Sequence, residues 1–261
     1  MIIFPSIDPV VLKVGAVSVR WYSIAYILGI FIGWRCVCAS FYRLDSKAKE
    51  DLLFWAVIGI VLGGRLGYIA FYNLGYYLAY PADIFKLWHG GMSFHGGMLG
   101  LILTMMRCAK KHNINILSLY DAIVLVAPLG LLFGRLANFI NGELYGRPTD
   151  VSWAVLFPGA GPLSRHPTQL YEAFLEGLVL FIVMASTKKT LRDKPGQLSA
   201  LFMILYASFR MLIEHFREPD PQIGYIGYFT MGQILSLPMM LFGVTLFFAS
   251  ARLSIGAAPN K

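Results

Sequence analysis

The stretch GLLFGRLANFINGELYGR at 130–147 carries Arg135, Asn138, Asn141 and Glu143 among apolar neighbours. Arg135 and Asn138 are three residues apart and share one helical face, and Asn141 lies one turn further on. Gly142 then ends the helix before Glu143. A second group closes YASFRMLIEHFREPD: Tyr206, Arg210 and Glu214 fall at i, i+4 and i+8, and Arg217 is seven beyond Arg210. Glu214 can orient either arginine in a charge-assisted pair. His95 stands in SFHGG, where flanking glycines leave its ring accessible and its titration range suits proton transfer. Glu172 and Glu176 share a face of the run that starts at Pro167, with Arg135, Arg65 or Arg165 as candidate partners. Several fixed guanidinium groups fit a phosphate better than a carboxylate ligand. There is no HExxH, no phosphate loop and no GxSxG elbow, so neither a cofactor nor a metal is expected. The ligand these residues fit is an anionic amphiphile.

The elements that must hold these groups are set by composition. Of the 261 residues, 57% are hydrophobic and 14% are charged, against about 25% charged in a soluble domain. So few charges cannot cover a water-exposed surface, and they exclude disorder, coiled coil and collagen. What remains is an all-α polytopic membrane protein, a single integral membrane domain over 1–261. Apolar runs near 21–40, 52–72, 88–107, 119–138, 168–187, 197–215 and 228–250 give seven expected spans. The third is the weakest, because it begins in HGGMSFHGGMLG. Charged residues inside such runs are costly and are functional candidates by default, with a self-neutralised structural network as the alternative. Arg65 is read as snorkelling or paired with a carboxylate, Asp121 as a cap or ion-pair partner, and Gly130 and Gly134 as points of close helix approach. Cys36, Cys38 and Cys108 form no disulfide framework.

The net charge of +8 follows the cytoplasmic excess of Lys and Arg that orients membrane helices, so no nucleic-acid partner is expected. Twelve basic residues fall in loops 41–51, 107–112 and 188–196 and the tail, against six on the other side (Lys13, Arg20, Lys86, Arg147, Arg165 and Arg217). The N-terminus is therefore expected outside and the C-terminus in the cytoplasm. Two outer segments exceed simple turns. Residues 73–87 are rich in tyrosine and are expected to form an interfacial arm. Residues 139–167 are expected to form a small periplasmic head, with a short strand within 153–157.

These residues resemble a known family closely. GRLANFINGELYGR at 134–147 is similar to the signature of the bacterial prolipoprotein diacylglyceryl transferases, and SFHGG at 93–97, RHPTQLYE at 165–172, GGRLGY at 63–68, FREPD at 216–220 and MGQILSLPM at 231–239 also fit. The resemblance covers nearly the whole chain. It implies a seven-helix inner-membrane enzyme that moves the diacylglyceryl group of phosphatidylglycerol to the lipobox cysteine of a preprolipoprotein, releasing glycerol phosphate. Its catalytic residues fall on His95, Arg135, Glu143 and Arg210. Its substrate-binding residues fall on Tyr22, Asn138, Asn141, Gly146, Tyr206, Glu214 and Arg217. Many members carry histidine where this chain has Arg20, while Tyr22 matches. No metal and no acyl-enzyme are expected, a monomer is expected, and Arg165 and Arg217 are expected nearer water than Arg135 and Arg210. The alternatives are a non-enzymatic transporter of anionic lipid and a different phospholipid headgroup transferase. The transporter would favour midplane polar groups and inverted repeats, and no repeat is evident.

Overall fold

The computed structural model describes residues 2–5, 7–14, 17–41, 43–218 and 224–256. Pro219 and Asp220 of the FREPD motif, and Lys261 of the tail, lie outside them. In chain order the elements are β1 (Ile2–Ile3), β2 (Val10–Val14), β3 (Val17–Arg20), α1 (Trp21–Ser40), α2 (Ser46–Tyr72), α3 (Leu74–Ala79), α4 (Phe94–Lys111), α5 (Ile116–Val124), α6 (Ala127–Ile140), β4 (Val155–Leu156), α7 (Thr168–Glu172), α8 (Leu180–Leu191), α9 (Gln197–Ile213), β5 (Tyr225–Ile226), β6 (Phe229–Thr230) and α10 (Met231–Gly256). A π-helical segment, Ala173–Val179, joins α7 to α8 without a break. Among the described residues the strands form three two-stranded pieces, β1 with β4 in parallel and β2–β3 and β5–β6 as antiparallel pairs.

Among the described residues five helical stretches are long and apolar enough to cross a bilayer: Trp21–Ser40, Ser46–Tyr72, Ile116–Ile140, Thr168–Leu191 and Met231–Arg252. The other two expected spans are the shorter α9 and α4; α4 starts only at Phe94, and its last turns carry Arg107, Lys110 and Lys111. Ile116–Ile140 is interrupted between α5 and α6, where Pro128 occupies the first turn of α6 and cannot donate to the preceding turn. The helices show large apolar side chains outward, among them Ile27, Phe31, Leu62, Leu103, Phe242 and Phe248. They keep Thr168, Gln169, Glu172 and Glu176 fully buried. Such inversion requires an apolar solvent around the helices.

The chain divides into two compact units. The unit Val37–Leu119 rests on α2 against α4. Gly59, Gly63 and Gly67 recur every fourth residue along α2, facing Gly96 and Gly100 of α4. A Cβ at Gly63 would stand 2.9 Å from the Gly100 Cα and press on the Gly96 carbonyl, so only hydrogen fits. Of the two glycines expected to allow close approach on α6, Gly130 has its Cα 3.5 Å from where a Gly29 Cβ would stand, whereas a Cβ at Gly134 would meet nothing within 4 Å. Asp45 caps α2 through the Ala48 amide at 2.8 Å, and Ser93 caps α4 through Gly96. Lys111 and His112 reach Asp51 at 2.5 and 2.8 Å, tying the end of α4 to the start of α2. Arg65, 3% exposed, is neither snorkelling nor carboxylate-paired as expected. It donates to five main-chain carbonyls, of Asp83, Ile84, Lys86, Gly90 and Gly91, and so organises the chain between α3 and α4. That chain is α3 followed by two 3-10 turns, Pro81–Phe85 and Leu87–His89.

The other unit holds Met1–Cys36 and Tyr120–Lys261. Its apolar core gathers Leu125, Val126, Leu180, Met184 and Leu198, with the Tyr206 ring packed against it. Asp121 accepts from the Gly196 and Ser199 amides at 2.7 Å each and so caps α9 from another helix, the capping role expected of it.

Candidate active site

The second unit brings two polar groups together where α1, α7 and α10 begin and α6 and α9 end. The first is built on α6. Asn138, buried, donates through Nδ2 to Glu143 Oε1 at 3.1 Å and to the Tyr22 hydroxyl at the start of α1. Asn141 Nδ2 reaches the same Glu143 oxygen at 3.1 Å. Gly142 adopts φ +66°, the left-handed conformation that closes a helix and costs glycine little, so the chain turns and returns the Glu143 carboxylate to both amides. Glu143 itself remains exposed.

The second group is an ion network. Glu172 is fully buried; its Oε1 receives Arg210 Nη1 at 2.5 Å and Arg217 Nη1 at 2.7 Å, and its Oε2 lies 3.2 Å from Arg135 Nε. Glu214 Oε1 receives Arg210 Nη2 at 2.8 Å and lies 3.3 Å from Arg217 Nε, so it orients both arginines. Glu176 is also fully buried, 3.7 Å from Arg135 Nη2 and from Arg210 Nη1. Three guanidinium groups thus surround three carboxylates at low dielectric, where loss of one partner costs about 3–5 kcal/mol. Of the partners considered for Glu172 and Glu176, Arg135 is adopted; Arg165 pairs with Glu218 and Arg65 binds carbonyls.

Local structure explains why these groups meet. Gly177 lets the π-helical segment approach α6 so closely that a Cβ there would stand 2.9 Å from the Leu132 Cα, one turn before Arg135. Single-turn π segments are frequent at functional sites. Gly232 of α10 faces Glu214, where a Cβ would stand 2.6 Å from the carboxylate carbon. Gln169 Nε2 donates to the Glu143 carbonyl at 2.5 Å and Thr168 Oγ1 to the Leu144 carbonyl at 3.1 Å, so the start of α7 also fixes the Glu143 turn.

Arg217 is a correction. It is 8% exposed, not nearer water, because the chain past α9 folds back as a β-bridge with Gly146 and directs the guanidinium inward. Arg165 is likewise no nearer water than Arg135 and Arg210, because its guanidinium is drawn to Glu218 and the Gly146 carbonyl. Gly146 is itself buried, and a Cβ there would stand 2.6 Å from Thr168 and 2.9 Å from His166 while pressing on the Phe216 carbonyl. Its observed part is to let three chain segments meet. Gly146 N donates to the His166 carbonyl at 2.8 Å and Arg147 N to the Phe216 carbonyl at 2.9 Å. The His166 ring, with Nδ1 3.1 Å from the Tyr171 hydroxyl, titrates below the ordinary histidine range because burial disfavours its charged form. Tyr206 packs with the apolar core one turn before Arg210. His95 is exposed in the first turn of α4, in the first unit, its ring edge-on to Phe94 at 5.7 Å. Sequence reasoning left Glu172 and Glu176 out of the site, although two carboxylates four apart in an apolar run were the signal. Gly177 and Gly232 gave no local signal.

Helices that turn apolar side chains outward, a polar interior and a network of arginines around buried carboxylates at one helix end define a polytopic membrane protein. Residues 9–249 match the family described as prolipoprotein diacylglyceryl transferase, and the chain belongs to that family. It is similar to the phosphatidylglycerol–prolipoprotein diacylglyceryl transferase of Rhodospirillum rubrum, with 50% identity over 98% of this chain and 97% of the relative. The protein of that name in Azospirillum brasilense is 49% identical over 94% of this chain and 95% of its own. That in Sinorhizobium medicae is 50% identical over 92% and 91%.

Proposed function

We propose that this protein transfers the diacylglyceryl group of phosphatidylglycerol to the lipobox cysteine thiol of a preprolipoprotein. The sulfur forms a bond to the glycerol carbon, the bond from that carbon to the phosphoryl oxygen breaks with its electron pair on oxygen, and glycerol phosphate leaves. Family membership supports the reaction, and the observation that carries the site is the convergence on Glu172 of Arg135 from α6, Arg210 from α9 and Arg217 from the segment past α9. The leaving phosphate gains charge as the bond breaks, so preplaced guanidinium groups favour the transition state over the substrate. In this reading Arg135 and Arg210 hold the phosphate and Glu214 fixes the plane of Arg210, while Asn138, Asn141, Tyr22, Tyr206, Gly146 and Arg217 shape the lipid site. His95 takes the thiol proton, with Glu143 as the competing base. A thiol with a pKa near 8.5 needs only modest help.

The protein lies in the bacterial cytoplasmic membrane with its N-terminus periplasmic and its C-terminus cytoplasmic. The site faces the outer leaflet, 73–87 lies along the interface and 139–167 forms the periplasmic head. The charge distribution supports this orientation. So does the direction of the helices, because the ends that carry the arginines lie opposite the Asp121 cap at the start of α9. The test is a purified-protein assay with labelled phosphatidylglycerol, a lipobox peptide and its cysteine-to-serine counterpart. Label should appear on the cysteine peptide alone, and no label on either would sink the proposal.

A further inference from the structure

Glu176 stands apart from the other two acids of the network. Its side chain is fully buried, yet neither oxygen takes part in a hydrogen bond among the described residues. Its nearest cations, Arg135 Nη2 and Arg210 Nη1, stand 3.7 Å away on opposite oxygens. Glu172, by contrast, holds Arg210 and Arg217 at 2.5 and 2.7 Å, and Glu214 holds Arg210 at 2.8 Å. Of the two arginines assigned to the phosphate, Arg210 is therefore held at close range by Glu172 and Glu214 and Arg135 by Glu172 alone, at 3.2 Å, while Glu176 touches both loosely. A tight charge-assisted pair fixes geometry; contacts at 3.7 Å to a fully buried carboxylate supply attraction without fixing a hydrogen bond.

We infer that Glu176 is a positioning residue that occupies, in the resting protein, the guanidinium faces later taken by the substrate phosphate. Glu172 and Glu214 hold the arginines in place, and Glu176 is the partner that an incoming phosphate displaces. It keeps Arg135 and Arg210 apart and balanced while the site is empty. It competes again for them once the ester bond has broken, which favours release of glycerol phosphate. The inference rests on the proposed reaction for the identity of the phosphate, but its geometry concerns anion binding alone.

The experiment is equilibrium binding of glycerol phosphate to the purified full chain in detergent, by calorimetry, with transfer activity measured separately. Glu176→Gln keeps the shape and removes the competing charge. It should bind glycerol phosphate about tenfold more tightly, equivalent to roughly 1.4 kcal/mol, and should lower both KM and kcat as product release slows. Glu176→Asp withdraws the acid by one methylene and should shift affinity the same way by less. Glu172→Gln should weaken binding, because the arginines lose their fixed geometry. Unchanged or weaker binding in both Glu176 variants overturns the inference. So does equal tightening in Glu172→Gln, failure of both Glu176 variants to fold, or absence of binding to wild type. Loss of transfer with the binding pattern intact would overturn the proposed reaction and leave this inference standing.

Discussion

Arg135 and Arg210 come from helices far apart in sequence and share Glu172, so charge and geometry are separable at these positions. Lysine keeps the charge and loses the planar fork that reaches two partners at once. Arg135→Lys and Arg210→Lys should each cost about 3–4 kcal/mol of transition-state stabilisation, roughly 10²–10³-fold in single-turnover rate at saturating lipid and peptide. Near-normal rates in folded lysine variants would make these arginines counter-ions to the buried acids and nothing more. His95 makes a different kind of demand. Its ring is exposed, as a group that meets a second substrate must be. His95→Gln should slow transfer at neutral pH, and the deficit should close as pH rises past about 8.5, where the peptide thiol ionises unaided. A deficit that persists at high pH would assign His95 to orientation or headgroup binding.

At the scale of elements, two glycine devices set what the side chains can do. The seam of Gly59, Gly63 and Gly67 against Gly96 and Gly100 brings α2 and α4 into backbone contact, and Ser93 and His95 stand at its end. Gly63→Ala should destabilise the protein by about 1–3 kcal/mol, the usual cost of overpacking, read from the thermal midpoint in detergent. No change would mean the helices can part without penalty. The junction of 146–148, 165–166 and 216–217 is the second device, and His166 lies in it. Partial burial lowers the His166 pKa in the folded protein, so the unfolded chain binds the proton more readily. Stability is then fully present above the ordinary histidine pKa of about 6.5 and falls as pH drops below it. His166→Gln should flatten that part of the pH–stability profile. An unchanged slope would show that another group titrates there.

For the molecule as a whole, orientation is the property on which the chemistry depends, since both substrates must meet at one face. Reporter fusions in loops 41–51, 107–117 and 188–196 and in the tail should all report the cytoplasm, as the charge asymmetry requires. A periplasmic tail would reverse the outer-leaflet assignment. Among the described residues five helical stretches meet the length and composition of a span, while α4 and α9 are shorter, at 18 and 17 residues. Both reach only about 25–27 Å, close to the hydrocarbon thickness, so each depends on a packed neighbour, α2 for α4 and α10 for α9.

Composition and local pattern alone determined the helical membrane class, the end of α6 at Gly142, the short strand within 153–157 and the grouping of Asn138 with Glu143. Each follows from hydropathy or from contacts a few residues apart, which the order of residues encodes directly. The same holds for the i, i+4 pairing of Arg210 with Glu214 and for Asp121 as a cap. What the tertiary structure decided is who neutralises whom. Arg65, Arg135 and Arg165 were equal candidates for Glu172 and Glu176 until the π-helical segment met α6 at Gly177 and selected Arg135. Arg217 was assigned to water until the bridge to Gly146 turned it inward. Pairing of charges in a low-dielectric interior falls steeply with distance, and distances between segments of distant sequence are set by backbone approach, which no local pattern records.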